Sequence, residues 1–437
     1  MSTYQPGDQT PIRSRSQLVD YFAPHAPVEG RLGVEWELLP VKPDSRLAAY
    51  DGPGGVEEAL ARLAPPHEAI FEAERLTAIK LKGGGMVGLE PGVQVELATL
   101  PSNRLALVQN ALERPLALIE RSAASSGFSL APWGVAPENG EEDLADVPKA
   151  RYGLLRDHLR AAGTLGRRMM KLTASTQVSL DYRDESELTA MTRAAVTAAP
   201  YLVAFTANAP VYKGRRTAWA TQRPRIWRGT DRRRCGLPAF LFAPKVTYAA
   251  AARWALSRQV LFLVRGGKFL PGDARTFAKI LAGPGPLGPL TMEDWDLHVS
   301  TLFPDLRLRS YLEIRVLDSL PLPLVMAATA FFKGLLSEAG RRALSRSGLS
   351  CPDRASAARS LLGAGRMGPR WIPESGPPAQ EAMMLLIHAA SRGLGSLGEE
   401  PSFLDPLREL VAADRCPADS WTRRRGGGWT APGTRWT

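Results

Sequence analysis

Cysteine and histidine are scarce in this sequence, which narrows the chemistry available to it. Three cysteines occur among 437 residues, at Cys235, Cys351 and Cys416, far apart and without the spacing of metal ligands. This pattern argues against a disulfide framework and a zinc site, and it predicts a reducing, cytoplasmic environment. The five histidines are scattered, so no Ser–His–Asp triad can be assembled, and His298 has no evident nucleophile as a partner.

Long apolar segments are also missing. The first residues contain no apolar core of the kind found in a signal peptide. The longest uncharged run, residues 194–212, is interrupted by Pro200, Asn208 and Pro210. We therefore expect no membrane-spanning segment and no membrane partner.

Negative charge is in the minority. Lys and Arg number 55 against 44 Asp and Glu, which gives a net charge of +11 and indicates anionic partners. Nucleic acid, a nucleotide and a carboxylate substrate all fit that charge. Arginines are densest in residues 213–238, interleaved with Trp219 and Trp227. Such a segment suits single-stranded nucleic acid or a loop over a small anion, and most of its arginines, including Arg232, Arg233 and Arg234, are expected to be solvated.

The predicted strands and helices follow one another in irregular order, without a regular βαβ alternation. This order predicts an α+β fold with a mainly antiparallel sheet. Residues 168–182 are predicted to form one long strand, and the glycines at 83–85 are predicted to form a hairpin turn rather than a phosphate-binding loop. We expect a single catalytic domain over residues 1–415 and a flexible tail over residues 416–437.

Glutamate recurs on the polar face of several predicted strands. Residues two apart in a strand share a face. The polar faces hold these groups: Glu35 with Glu37; Gln94 with Glu96; Thr173, Ser175, Gln177, Ser179 and Asp181; and Glu313 with Arg315. A merely solvated face explains any one of these strands.

The recurrence of glutamate, with scarcely a lysine at these positions, favours a shared site. Neighbouring strands would bring five glutamates together, counting Glu90 beside a Pro–Gly break, and their charges would repel strongly. A bound cation relieves that repulsion. Oxygen ligands without histidine or cysteine indicate a hard ion such as Mg²⁺, which commonly bridges carboxylates to nucleotide phosphates. The strand faces therefore predict a site for ATP and Mg²⁺.

Four segments in order carry a resemblance to a known family. They are "GLEPGVQVELAT", "MMKLTASTQVSLDY", "FTANAPVYKGRRTAWATQRPRIWRGTDRRRCGLP" and "MEDWDLHVSTLFPDLRLRSYLEIRVLDSLP". Over about residues 33–321 the chain resembles the glutamate–cysteine ligase family, in the plant-type branch that bacteria share. The resemblance implies a fold related to glutamine synthetase and the guanidino kinases, with an antiparallel sheet curved into a funnel-shaped active site and surrounded by helices.

The resemblance also implies a reaction and its residues. ATP would phosphorylate the γ-carboxylate of L-glutamate, and the amine of L-cysteine would attack the acyl phosphate, as the first step of glutathione-type thiol synthesis. Gln177, Arg223 and Trp227 would contact the nucleotide, Arg225 the glutamate, and Arg315 the transferring phosphoryl group. The implied Mg²⁺ ligands are Glu35, Glu37, Glu90, Glu96 and Glu313. The expected partners are these small molecules, without nucleic acid, in a monomer or homodimer.

Departures from the family pattern leave the acceptor open. Ser179, Val93 and Pro224 stand where relatives have Asn, Gly and Ser, and the redox cysteines of plant relatives are not recognisable, so no thiol switch is expected. One alternative is a γ-glutamyl ligase with another amine acceptor, or one that supplies γ-glutamylcysteine for ergothioneine. The alternative from a different class is a nucleic-acid-binding protein that uses the arginine–tryptophan segment.

Overall fold

The computed structural model describes residues 7–283, 288–424, 427–431 and 433–434. Its strands are β1 (Leu32–Val41), β2 (Glu68–Glu72), β3 (Arg75–Lys80), β4 (Met86–Leu89), β5 (Val95–Ala98), β6 (Ser129–Ala131), β7 (Ser175–Leu180), β8 (Val211–Tyr212), β9 (Arg215–Arg216), β10 (Cys235–Gly236), β11 (Phe262–Arg265), β12 (Lys268–Pro271), β13 (Phe303–Pro304), β14 (Leu306–Leu308), β15 (Leu312–Asp318), β16 (Thr422–Arg423) and β17 (Trp429–Thr430). The helices are α1 (Arg15–Asp20), α2 (Val56–Ala61), α3 (Leu105–Ser125), α4 (Ala150–Ala162), α5 (Gly166–Leu172), α6 (Glu185–Thr206), α7 (Arg223–Arg228), α8 (Tyr248–Leu256), α9 (Phe277–Ala282), α10 (Met292–Ser300), α11 (Leu322–Leu336), α12 (Glu338–Ser345), α13 (Arg354–Met367), α14 (Ala379–Ser396) and α15 (Asp405–Ala412).

One large antiparallel sheet organises the chain. Its strands lie in the order β14-β15-β7-β1-β5-β4-β3-β2, and β6 also pairs with β1. The α+β fold with a mainly antiparallel sheet is confirmed. The sheet is open and uncurled, with β14 and β2 at its edges, and it does not have the expected curvature. Helices and loops therefore complete the walls of the site that the curved sheet was expected to form.

The two faces of the central strands differ in chemistry, as their alternating sequence predicts. In β1 the side chains of Val34, Trp36 and Leu38 are buried in the core, whereas Glu35 and Glu37 are half-buried on the other face. Helices α3, α6 and α11 pack against the central strands. The opposite, polar face of these strands is therefore available for a functional site.

Helix α6 meets the length and composition of a membrane-spanning helix. Its most apolar window is 83% buried inside the protein. It therefore has the environment of a core helix, and it packs against β15, α11, α13 and α14.

The expected strand over residues 168–182 is wrong in its first half. Helix α5 occupies Gly166–Leu172, and the strand begins at Ser175. The reason is local, because the Arg, Met, Lys and Leu residues of this stretch have high helix propensity and the alternation of polar and apolar residues begins only at Thr173. The hairpin turn at residues 83–85 is present between β3 and β4.

The segment after Cys416, expected to be a flexible tail, packs against the core over its described residues. Trp421 and Trp429 are only 3% and 7% exposed, and the rings of Trp421 and Trp133 lie 4.9 Å apart. Burial of these large apolar rings is a strong reason for the segment to fold. Residues 425–426, 432 and 435–437 of the expected tail lie outside the described residues.

Candidate active site

A cavity of about 980 Å³, including its open mouth, lies over the polar face of the central strands. It collects most of the residues singled out in the sequence. These are Glu35, Glu37, Glu90, Glu96, Gln177, Arg223, Trp227 and Arg315. The expectation that the glutamate-bearing strands are neighbours in one sheet is confirmed, because β5, β1, β7 and β15 are consecutive.

Strand register places like charges opposite each other. Glu37 on β1 is the direct cross-strand partner of Glu96 on β5, and Glu35 faces Gln177 on β7. Two carboxylates in that relationship destabilise the sheet unless a cation or a proton intervenes. Burial and the nearby charge of Glu90 raise the pKa of Glu37 to about 7, and burial together with Glu35 and Glu90 raises the pKa of Glu96 well above its usual range.

The turn that carries Glu90 is held from several sides. The Leu89 carbonyl accepts hydrogen bonds from Lys149 Nζ at 2.8 Å and from the Tyr152 hydroxyl at 3.2 Å. Gly92 is required by close approach, because a Cβ there would lie 2.0 Å from the carbonyl oxygen of Lys171. The turn is therefore fixed between β4 and helices α4 and α5.

Val93, one of the departures from the family pattern, directly follows that turn. It has φ +66°, in the left-handed region that glycine adopts without cost. The glycine of relatives at this position thus has a conformational reason, and the β-branched Val93 carries backbone strain beside the site.

A hydrogen-bonded network connects the carboxylate side of the cavity to its arginine side. Gln177 Nε2 donates to Glu37 Oε1 at 3.1 Å, and Gln177 Oε1 accepts from Arg315 Nη1. Arg315 Nη1 also donates to Glu313, whose two oxygens accept from Arg307 Nε and Nη2 at 2.7 and 2.8 Å. Gln177 therefore links the carboxylate of Glu37 to the guanidinium of Arg315.

Both carboxylate oxygens of Glu313 accept hydrogen bonds from arginine side chains. Burial alone would raise its pKa, but the charges of Arg307 and Arg315 outweigh burial and hold the pKa of Glu313 well below its usual range. The oxygens of Glu313 are thus engaged by arginines, whereas the other four glutamates line the cavity, and the implied metal-binding role for Glu313 stays a prediction. Arg307 was missed in the sequence, although the β14–β15 hairpin makes it the direct partner of Glu313.

Helix α7 supplies Arg223 and Trp227, one turn apart on the same side. Pro224 stands in its first turn, where the fixed φ of proline suits helix initiation, so this departure from the family pattern fits the local structure. The guanidinium of Arg223 lies 5.4 Å from the Trp227 ring centre. The indole Nε1 of Trp227 is buried and finds no hydrogen-bond partner among the described residues.

Two expectations about the arginine segment change. Arg225 is exposed on α7 and does not line the cavity, so the structure does not bring this candidate glutamate contact to the site. Arg234, expected to be solvated, is 1% exposed and donates to Thr301 Oγ1 at 2.9 Å. Helical periodicity accounts for the first difference, because Arg223 and Arg225 lie about 200° apart around the helix axis.

The cavity offers acceptors that suit a hard cation. No three His, Cys, Asp or Glu side chains in the part of the chain that the structure describes converge closely enough to hold a metal ion by themselves. However, Glu96 Oε1 is buried without a hydrogen-bond partner, directly across from Glu37. Magnesium in nucleotide sites is commonly held by one or two carboxylates, with phosphate oxygens and water completing its shell. The residues present fit such an ion.

Comparison with known proteins agrees with this arrangement. The model of glutamate–cysteine ligase family 2 matches residues 31–434. The chain belongs to this family. The chloroplastic glutamate–cysteine ligase of Brassica juncea is 28% identical over 433 residues, 95% of this chain and 82% of the relative. The Arabidopsis thaliana enzyme is 30% identical over 331 residues, 74% of this chain and 63% of the relative.

A solved structure shares the fold of this family member. The crystal structure of the Francisella tularensis glutamate–cysteine ligase in complex with AMP superimposes with a TM-score of 0.51 at 11% sequence identity. The match covers 89% of this chain and 82% of that one. The resemblance read from the four sequence segments is thus confirmed for the family and for the fold.

Proposed function

We propose that this protein uses ATP to join the γ-carboxylate of L-glutamate to the amine of L-cysteine. The observation that carries the proposal is the network from Glu37 through Gln177 to Arg315 inside one cavity. It places carboxylates that suit a metal–nucleotide complex next to a preorganised guanidinium. Phosphoryl transfer depends chiefly on such positioning and charge neutralisation.

We assign the nucleotide phosphates to the carboxylate side of the cavity. Glu35, Glu37, Glu90 and Glu96 line it there and would hold Mg²⁺. When bound, the ion supplies positive charge that neutralises phosphate oxygens and cancels the repulsion between Glu37 and Glu96.

Arg315 stabilises the charge that develops on the transferring phosphoryl group. Its side chain is 10% exposed and is oriented by Glu313 and Gln177, so little reorganisation is needed during reaction. In the first step the γ-carboxylate oxygen of glutamate attacks the γ-phosphorus of ATP, and ADP leaves. In the second step the acceptor amine attacks the γ-carbonyl carbon, and phosphate leaves with the oxygen it gained from glutamate.

An acceptor screen tests this function. Purified protein is given ATP, Mg²⁺ and glutamate, each candidate amine is varied, and ADP release and product mass are measured. We expect ADP release to require both glutamate and cysteine, with γ-glutamylcysteine as the product. Release that depends on glutamate but prefers another amine would assign a different γ-glutamyl ligase, and release independent of glutamate would contradict the proposal.

The nucleic-acid alternative has little support in the arginine–tryptophan segment. Trp227 lines the cavity and is 8% exposed, and Arg234 is buried, so neither is available as an exposed stacking or phosphate-binding group. Binding of single-stranded RNA across a salt series is the direct comparison. We expect it to be weak at physiological salt, whereas ATP binding should depend on Mg²⁺.

A further inference from the structure

Asp318 is a buried carboxylate at the end of β15, the strand that carries Arg315. It is 3% exposed and is not among the residues that line the cavity. Its Oδ1 accepts a hydrogen bond from the Thr221 hydroxyl at 2.8 Å, and its Oδ2 accepts one from the main-chain N–H of Asn208 at 2.7 Å. Taking a carboxylate out of water costs free energy, and these two charge-assisted hydrogen bonds offset part of that cost.

The surroundings of Asp318 hold its side chain in one place. Gly134 leaves the room that it needs, because a Cβ on Gly134 would lie 2.4 Å from Cγ and Oδ1 of Asp318. Asn208 is itself fixed, since its Nδ2 donates to the carbonyls of Pro132 at 2.7 Å and Ser319 at 3.1 Å. Burial raises the pKa of Asp318 to about 6, while its hydrogen bonds oppose that rise. The carboxylate is therefore mostly ionised at neutral pH, in a defined position.

Thr221 connects this carboxylate to helix α7. Its hydroxyl donates to Asp318, and its oxygen accepts the main-chain N–H of Arg223 at 3.2 Å. Arg223 is the first residue of α7, where main-chain N–H groups have no acceptor within the helix. The guanidinium of Arg223 donates to the main-chain carbonyl of Arg315. Consecutive hydrogen bonds thus link Asp318 to Arg223 and, through it, to Arg315.

We propose that Asp318 is a positioning residue of the ligase reaction, which fixes the first turn of α7 through Thr221 and thereby the positions of Arg223 and Arg315. This inference rests on the proposed function and adds to it a residue that acts without touching the substrates. The links are short and the residues that form them are buried, so a change at Asp318 is transmitted to the cavity. Displacement of a reacting or stabilising group by about 1 Å lowers an enzymatic rate by about 10²-fold.

Removal of each link tests the proposal. Asp318→Asn leaves one acceptor oxygen for two donors and removes the charge, and Thr221→Val removes the connecting hydroxyl with little change of shape. We expect each variant to lower kcat by about 10- to 10²-fold, measured as ADP release that requires glutamate and cysteine. Thr221→Ser retains the hydroxyl and should keep kcat within about twofold of wild type.

A double variant distinguishes positioning from a general loss of stability. If Asp318 acts through Arg223, its removal has little left to disturb once Arg223 has lost its two-pronged contact. Asp318→Asn should then lower kcat by about twofold or less in an Arg223→Lys background. Losses that multiply in the double variant would show that the two residues act independently and would overturn the assignment.

Two buried residues away from the cavity serve as matched controls. Glu399 accepts the main-chain N–H of Leu105 at 3.0 Å and pairs with buried Lys333, so Glu399→Gln should lower the melting temperature and keep the wild-type kcat. Thr192 of α6 is fully buried, and Thr192→Val should also keep kcat. A loss of kcat in Glu399→Gln as large as in Asp318→Asn would show that rate merely follows stability, which would overturn the proposal.

The remaining outcomes are equally distinct. A wild-type kcat in Asp318→Asn overturns the assignment, and so do equal losses in Thr221→Val and Thr221→Ser, because the hydroxyl is then not the link. If Asp318→Asn fails to fold, the comparison of Thr221→Val with Thr221→Ser decides. Failure of the proposed function looks different, because wild-type protein would then release no ADP with glutamate and any acceptor.

Discussion

Arg223 donates its Nε and Nη2 to the main-chain carbonyl oxygen of Arg315, at 3.0 and 2.8 Å. That carbonyl is available because a bulge interrupts the pairing of β15 with β7 between Ile314 and Leu317. The guanidinium of Arg223 therefore fixes the backbone position of Arg315. Helix α7 and the end of β15 are joined by this contact at the floor of the cavity.

Replacing Arg223 tests that connection. In Arg223→Lys a single ammonium replaces the two-pronged contact, so Arg315 should lose its position and kcat should fall by about 10²-fold. Arg225→Lys, an exposed position on the same helix, is the matched control and should retain wild-type rates. Equal losses in the two variants would show that α7 acts as a whole and would contradict the specific role of Arg223.

Loss of Arg315 should affect turnover more than stability. Arg315→Met removes a preorganised charge, and we expect kcat to fall by about 10²–10³ with little change in the KM for ATP. Glu313 keeps its bidentate partner Arg307, so thermal unfolding should shift only slightly. A large drop in melting temperature with near-normal kcat would instead assign Arg315 a structural role.

The Glu37–Glu96 pair predicts a variant that is more stable and less active. Glu96→Gln replaces a carboxyl group that must take up a proton on folding, because burial and its neighbouring carboxylates raise its pKa, so the metal-free protein should gain about 1 kcal/mol in free energy of unfolding at pH 7. The same change removes a candidate ligand and should raise the Mg²⁺ concentration needed for half-maximal activity. Glu113→Gln on α3, remote from the cavity, serves as control. Unchanged magnesium dependence in Glu96→Gln would contradict the shared metal site.

His298 predicts a loss of stability in acid. Its ring is buried beside Trp295 and Phe277, its Nε2 bonds the Ala255 carbonyl, and burial lowers its pKa to about 3. The folded state thus excludes the proton that the unfolded chain takes up near pH 6.5. Its contribution to stability is complete above pH 6.5 and falls by about 1.4 kcal/mol per pH unit as the pH drops from there toward 3.

Urea unfolding at pH 7.5 and pH 5 measures this effect. The decrease in unfolding free energy between the two pH values should be smaller in His298→Gln than in wild type by about 2 kcal/mol. Identical decreases in both proteins would mean that His298 is accessible to protons in the folded state.

The segment after Cys416 should contribute to stability. Trp421 is buried against Trp133, and its Nε1 donates to Asn208 Oδ1 at 2.9 Å. Trp421→Ala should lower the free energy of unfolding by about 3 kcal/mol, the usual cost of removing a buried tryptophan. Trp219→Ala, at a less buried tryptophan, should cost less. An unchanged free energy of unfolding in Trp421→Ala would indicate that the segment after Cys416 behaves as the flexible tail expected from the sequence.

Much of the site was predictable because strand periodicity is a local property. The alternation of Glu35 and Glu37 with Val34 and Trp36 assigns the two faces of β1 without knowledge of its neighbours. The register that sets Glu37 opposite Glu96 depends on pairing between distant segments and could not be read from either segment alone.

Other features depend on contacts between distant parts of the chain. The position of Arg151 in the cavity lining was not predicted, because only the fold brings the first turn of α4 to the cavity. Arg225 was named as the glutamate contact, alongside Arg223 and Trp227 as nucleotide contacts, within a segment whose helical phase was unknown. The hydrogen bonding of both Glu313 oxygens follows from the pairing of Glu313 with Arg307 in the β14–β15 hairpin. The cytoplasmic location, the monomeric or dimeric state and the absence of nucleic-acid and membrane partners stay predictions.

Transfer of oxygen from glutamate to phosphate tests ATP-driven activation of the γ-carboxylate most directly. The protein is incubated with ATP, Mg²⁺, cysteine and glutamate labelled with ¹⁸O in the γ-carboxylate, and the released phosphate is analysed by mass spectrometry. A γ-glutamyl phosphate intermediate predicts one labelled oxygen in the phosphate for each amide bond formed. Amide formation accompanied by unlabelled phosphate would contradict activation of glutamate by phosphoryl transfer in this cavity.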